Sequence, residues 1–141
     1  MSIYVDSSFV VSLYLTDVHS PEARRRMQGA PPLILTPLHH AEWAHALGQH
    51  QFRGTLTTEK AQHAHAQFIS DEAANLWRET PLPEKAFELC ADLARRYAAK
   101  LGMRTLDTLH VACAMELKAE RFWTFDERQT KLAKVQGMKV S

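Results

Sequence analysis

Four acidic residues stand where a carboxylate has something to do. Asp6 follows the apolar run Ile3-Tyr4-Val5 and precedes Ser7-Ser8-Phe9, a small polar stretch suited to starting a helix. This spacing predicts a carboxylate at the carboxyl end of a strand, where open α/β sheets bind ligands. Asp126 follows the strand-like Phe122-Trp123-Thr124 in the same way. If both strands are parallel and central, the two acids face one crevice. Asp107 falls in the first turn of a predicted helix, where the positive end of the macrodipole favours an ionised carboxylate. Glu42 comes roughly one and a half turns after Pro37, among apolar Ala41, Trp43 and Ala44, and a charge in that setting needs a partner. Four carboxylates converging from separate elements would repel one another unless a cation lay between them, and oxygen-only donors select hard Mg²⁺ or Mn²⁺. An aspartate at a helix start is also a common N-cap and a helical glutamate is commonly exposed, so the pattern carries the reading and no single acid does.

The elements that must position these acids are readable from the apolar patterning. The chain has 141 residues, 45% hydrophobic and 23% charged, which suits a single packed domain over 1–141. Strand-length runs at Ile3–Val5, Leu33–Leu35 and Phe122–Thr124, with weaker ones at Asn75–Glu79 and Met138–Val140, alternate with helical patterns. That alternation predicts an α/β domain with a largely parallel sheet flanked by helices. Helix starts are marked by Ser20 as an N-cap before Pro21, by Pro37 and Pro83 as first helical residues, and by a capping box from Asp126 to Gln129. Ala86, Cys90, Leu93, Tyr97 and Leu101 recur at steps of three and four, predicting one helix over 84–101 that ends at Gly102. The next is expected from about Thr105, with Leu106, Leu109, Cys113 and Leu117 turned inward.

Four blocks then occur together: Ile3-Tyr4-Val5-Asp6-Ser7-Ser8; His40-Ala41-Glu42-Trp43-Ala44-His45-Ala46-Leu47; Arg104-Thr105-Leu106-Asp107-Thr108-Leu109-His110; and Thr124-Phe125-Asp126-Glu127-Arg128-Gln129. In order and spacing they resemble PIN-domain toxins of the VapC type, across essentially the whole chain. The resemblance implies a PIN-like fold and gives Asp6, Glu42, Asp107 and Asp126 the role of metal-site acids. It also makes Ser7 and Thr124 the hydroxyl-bearing neighbours that orient them. His45 stands where such toxins often carry an asparagine, and is expected to act as a similar hydrogen-bond donor behind the acids. The implied activity is hydrolysis of RNA phosphodiester bonds with Mg²⁺ or Mn²⁺. The implied partners are a second copy in a homodimer and a cognate antitoxin of the VapB type. Two other readings stay open, a non-catalytic PIN fold that binds RNA or protein and an aspartyl-phosphate phosphatase using Asp6.

The formal net charge of +1 gives no overall basic field, so contact with nucleic acid must come from local clusters. Arg104 and Arg128, near Asp107 and Asp126, are the RNA-contact candidates. The run Arg24-Arg25-Arg26 reads as a solvated helix face. His110, one turn after Asp107, stands either to touch the site or to pack beneath it. Cys90 and Cys113 lack CxxC spacing and read as buried, reduced thiols. Trp43, Phe68 and Trp77 are core or interface material, some of it suited to a protein-binding surface. With neither a signal-peptide pattern nor an apolar run of membrane length, a cytoplasmic location is expected.

Overall fold

The computed structural model describes residues 1–141. Strands Ile3–Val5 (β1), Leu33–Leu35 (β2), Trp77–Glu79 (β3), Arg121–Trp123 (β4) and Lys139–Val140 (β5) form one sheet. Its order is β3-β2-β1-β4-β5 and every pairing is parallel. The sheet expected to be largely parallel is therefore wholly so. Helices Ser7–Tyr14 (α1), Ser20–Met27 (α2), Pro37–Phe52 (α3), Thr58–Ala73 (α4), Ala86–Leu93 (α5), Ala99–Leu101 (α6), Thr105–Glu116 (α7) and Glu127–Val135 (α8) connect and cover it. None is long and apolar enough to cross a membrane.

The three residues of β1 are all buried, as befits a central strand covered on both faces. Alternation along the strand divides the core. Ile3 and Val5 pack with Phe9, Trp43, Phe68, Trp77 and Trp123. Tyr4 packs on the other face with Leu93, Leu109, Cys113, Phe122 and Leu132. Strand order reverses between β1 and β4, and at such a switch point the connections leave in opposite directions and open a crevice at the carboxyl ends. Asp6 and Asp126 follow those two strands.

Several local expectations shift. β4 begins one residue earlier than expected, so Thr124 leaves the ladder; the last backbone bond there runs from Asp6 N to Trp123 O at 3.1 Å. The helix predicted over 84–101 starts at Ala86, leaving Pro83 before it, and opens into a π-helical turn at Ala94–Ala98 before α6. Gly102 ends it at φ 67°, a left-handed conformation that a Cβ would strain. Ser20 is the first residue of α2 rather than its cap, its hydroxyl donating to the carbonyls of Ser12 (2.6 Å) and Leu15 (2.8 Å). On α7 the run Thr108–Ala114 is buried on all sides, so no single stripe marks its inward face, and Leu106 faces outward.

Trp43, Phe68 and Trp77 are core residues and contribute nothing to a binding surface. Phe68 stacks on Trp77 with centroids 4.6 Å apart, lies 5.3 Å from Trp43 and meets Tyr14 edge to face. Cys90 and Cys113 are free and buried, and burial pushes the Cys113 thiol up to about 11. Because Phe68 joins α4 to α1, α3 and β3, Phe68→Ala is expected to cost about 3–5 kcal/mol, the range for emptying a buried aromatic site. Chemical denaturation with far-ultraviolet circular dichroism reads that loss directly.

Candidate active site

Asp6 is held from both ends of its carboxylate. Oδ1 accepts the Phe9 amide at 2.9 Å and so caps α1. Oδ2 accepts from the Ser8 hydroxyl at 2.6 Å and the Thr124 hydroxyl at 3.1 Å. Burial nevertheless raises the Asp6 pKa, outweighing those donors and the charge of His110. The chain has placed an acid where ionisation is disfavoured, and a cation nearby would reverse that.

Asp126 repeats the arrangement at the end of β4. Oδ1 accepts the Gln129 amide at 2.9 Å and caps α8, while Oδ2 lies 3.5 Å from Arg128 Nη2. The reciprocal half of the expected capping box does not form, because the Gln129 side chain turns inward: its Oε1, 2.7 Å from Thr124 Oγ1, shares that hydroxyl's hydrogen with Asp6, and its Nε2 donates to the Asp107 carbonyl (3.3 Å). Thr124 also accepts the Asp126 amide at 3.0 Å, so one hydroxyl ties both strand-end acids together. Asp107 lies in the first turn of α7 and takes Arg104 Nε at 3.1 Å.

Glu42 reaches the same place from α3. Its Oε1 accepts from Ser7 Oγ at 2.8 Å and lies 2.5 Å from His110 Nε2. Burial would raise the Glu42 pKa, but the bonds from His110 and Ser7 and the charges of His110 and Arg104 bring it below its ordinary value. Behind it His39 donates Nε2–H to the Val5 carbonyl at 2.7 Å, since its Nδ1 must accept the Thr36 amide at 2.9 Å. Burial, then the charge of His110, lowers His39 to about 3, so it stays a neutral brace between α3 and β1.

The four acids, with Ser7, Ser8, Arg104, His110 and Gln129, line one cavity of about 160 Å³ that has no apolar side chain. Hollows of about 480 Å³ at the end of α3 and about 510 Å³ beside α1 and α4 gather at most one acid each, while one of about 390 Å³ adjoins the site and shares Glu42, Arg104 and Asp107 with it. Arg104 lines the acid cavity with its side chain largely exposed, and Arg128 stands beside it, reaching Asp126 at 3.5 Å and donating from Nη1 to the Gly102 carbonyl at 3.2 Å. His45 is elsewhere: exposed, with Nδ1 donating to Ala41 O of its own helix at 2.8 Å, it touches none of the acids. Although the two positions are neighbours on α3, the His45 ring turns back on its own helix and Glu42 alone of the two lines the cavity. The donor beside Glu42 is His110, whose spacing from Asp107 was its signal. Tyr4, Ser8 and Gln129 gave little sign beyond being polar groups beside a strand end or cap.

As they stand, no three His, Cys, Asp or Glu side chains lie close enough together to hold a metal ion. The donor set still fits a hard divalent cation: four carboxylates from four elements face one polar cavity, and a cation would relieve the burial of Asp6. Residues 3–135 match the PIN domain family. The chain belongs to that family. Ribonuclease VapC46 of Mycobacterium tuberculosis is 28% identical to this PIN domain over 141 residues, covering 99% of this chain and 95% of the relative. The structure of VapC20 from Mycobacterium tuberculosis, described as a sarcin-ricin loop cleaving toxin, is similar with a TM-score of 0.68 at 18% identity, over 92% of this chain and 94% of that one. A chain of VapBC2 from Rickettsia felis, solved bound to a DNA fragment from their promoter, gives 0.71 at 13% identity, over 100% and 98%. At these identities the two structures share the PIN fold.

The two inner acids oppose one another in their effect on the metal-free protein. The folded pKa of Asp6 is raised, so its penalty is absent below the unfolded pKa and grows as pH rises through the folded value. The folded pKa of Glu42 is lowered, so its contribution is present above the unfolded pKa and is lost as pH falls through the folded value. Melting curves without metal are therefore expected to show Asp6→Asn raised and Glu42→Gln lowered in Tm at neutral pH. Both differences should shrink under acid.

Proposed function

We propose that this PIN domain, acting as one unit over 1–141, is a cytoplasmic VapC-type endoribonuclease that hydrolyses RNA phosphodiester bonds with Mg²⁺ or Mn²⁺. The observation that carries the reading is the meeting of Asp6, Glu42, Asp107 and Asp126 in one wholly polar cavity at the sheet's switch point. The family and the VapC46 likeness support it. The four acids would hold the cation. The chemistry a bound divalent cation supplies is polarisation of the scissile phosphate and activation of a water. Ser7, Ser8 and Thr124 keep the carboxylates turned toward the cavity. Arg104, lining the cavity, and Arg128, beside it, suit the flanking phosphates, which acids alone would repel. A second copy in a homodimer and an antitoxin of the VapB type complete the proposed assembly, in keeping with the VapBC likeness.

A non-catalytic binding role is favoured by one observation, that the acids are not drawn to metal-holding distance. It predicts tight RNA binding without cleavage. The phosphatase reading loses ground because Ser8 occupies the second position after Asp6, where that chemistry wants an acid.

The test is sequencing of RNA ends after a brief pulse of expression, with purified protein assayed on the RNA so found. Asp6→Asn is expected to fold and to lose cleavage by roughly a hundredfold or more, the scale of removing one preorganised electrostatic group. Wild-type activity should vanish in excess chelator and return with Mn²⁺. Unimpaired turnover by Asp6→Asn, or in chelator, would sink the metal-site reading. Since His45 faces solvent, His45→Ala should cleave at close to the wild-type rate, and a collapse matching Asp6→Asn would place His45 in the site.

A further inference from the structure

Tyr4 on β1, His110 on α7 and Glu42 on α3 form a chain of hydrogen bonds that runs from the core into the acid cavity. Tyr4 Oη is 2.7 Å from His110 Nδ1, and His110 Nε2 is 2.5 Å from Glu42 Oε1. Ser7 on α1 closes the corner, its Oγ 3.1 Å from the same Nε2 and 2.8 Å from the same Oε1. Tyr4 is 0% and His110 2% exposed, so both bonds lie out of bulk solvent. An ionised carboxylate only accepts, so the contact with Glu42 requires a hydrogen on Nε2. In the neutral imidazole, a hydrogen on Nε2 leaves Nδ1 as the ring's acceptor, and the Tyr4 phenol, kept protonated above all by burial, has a hydrogen to give.

The acid that needs this arrangement is Glu42. Asp6 and Asp126 are fixed by the helix starts they cap, whereas Glu42 lies within α3 on a longer side chain with no backbone partner. Its only protein anchors are Ser7 and His110, both on Oε1. That leaves Oε2 for a ligand.

We propose that His110 is a positioning residue: its Nε2–H, held in that tautomer by the Tyr4 hydroxyl, fixes the Glu42 carboxylate in the cavity ready to take a divalent cation. This rests on the reading of the cavity as a divalent-cation site. Fixing the ligand beforehand removes the ordering that binding would otherwise require, and outer hydrogen-bond partners of this kind change metal affinity by about 10–100-fold. A histidine that merely filled space would be replaced without loss by an apolar ring.

The experiment titrates the full-length protein with Mn²⁺ alone, following free Mn²⁺ by electron paramagnetic resonance, with circular dichroism to confirm folding. His110→Phe and His110→Asn, which lack a donor at the Nε2 position, are expected to bind Mn²⁺ about 10–100-fold more weakly. His110→Gln, whose amide nitrogen reaches that position, should retain most of the affinity, and Tyr4→Phe should fall between. Separately, ¹H–¹⁵N correlation of the metal-free wild type should find the His110 hydrogen on Nε2, and on Nδ1 in a substantial fraction of Tyr4→Phe. Wild-type Mn²⁺ affinity in folded His110→Phe overturns the proposal. The site reading survives that result if Asp6→Asn in the same series loses Mn²⁺. If His110→Phe does not fold, Tyr4→Phe and His110→Gln decide, and a Gln variant no better than Asn overturns the proposal. A neutral wild-type ring with its hydrogen on Nδ1 and none on Nε2 overturns it without reference to metal. A wild type that takes up no Mn²⁺ overturns the site reading and this proposal together.

Discussion

The buried carboxylate of Asp6 sits where three parts of the structure must agree. A charge taken out of water is costly unless it is hydrogen-bonded, and this one is met by the Phe9 amide and the hydroxyls of Ser8 and Thr124. The first partner starts α1, the second belongs to its first turn, and the third follows β4. Satisfying one acid thus sets the exit of the central strand, the first turn of the helix after it and the end of the neighbouring strand. What remains unsatisfied shows as the raised proton affinity of Asp6. The fold keeps a carboxylate at the crevice where burial disfavours its charge, and a buried acid of raised pKa in a cleft marks a candidate site for a ligand.

The other acids are arranged around that one by depth. Asp6 lies at the bottom, Asp107 and Asp126 are partly exposed, and their arginine partners are more exposed still: the Arg104 side chain is 74% exposed against 16% for Asp107. Negative charge below and positive charge at the rim is an order that a net charge of +1 conceals. An anionic chain laid across the mouth meets guanidinium groups first, while a small cation can pass to the oxygens beneath.

Much of this was legible in the sequence. The strands show as short apolar runs because both sheet faces are covered, and Asp6 and Asp126 show because an acid directly after such a run has few places to point. The limits are tertiary. Thr124 reads as a strand residue because it is β-branched and its neighbours are aromatic, yet its hydroxyl is required outside the ladder. His45 and Glu42 share one helix, and only the packing of α3 on β1 through His39 decides which of them faces inward. The aromatic residues of α3 and α4 read equally well as a surface or a core, since composition does not say which neighbour covers them. His110 was visible by its spacing, but its role needs Tyr4, a partner 106 residues away.

That sequence separation sets how the molecule comes into being. The Thr124 to Asp6 bond spans 118 residues, and β1 finds its β4 partner only when Arg121–Trp123 have been made. Contacts so far apart along the chain form slowly, because loop closure must precede any reward from packing. During synthesis at about 5–20 residues per second, β1 waits many seconds with one edge unpaired. A polypeptide ending before Arg121 carries Asp6, Glu42 and Asp107 without the strand and hydroxyl that gather them, so the acid cavity arises late and all at once rather than by degrees.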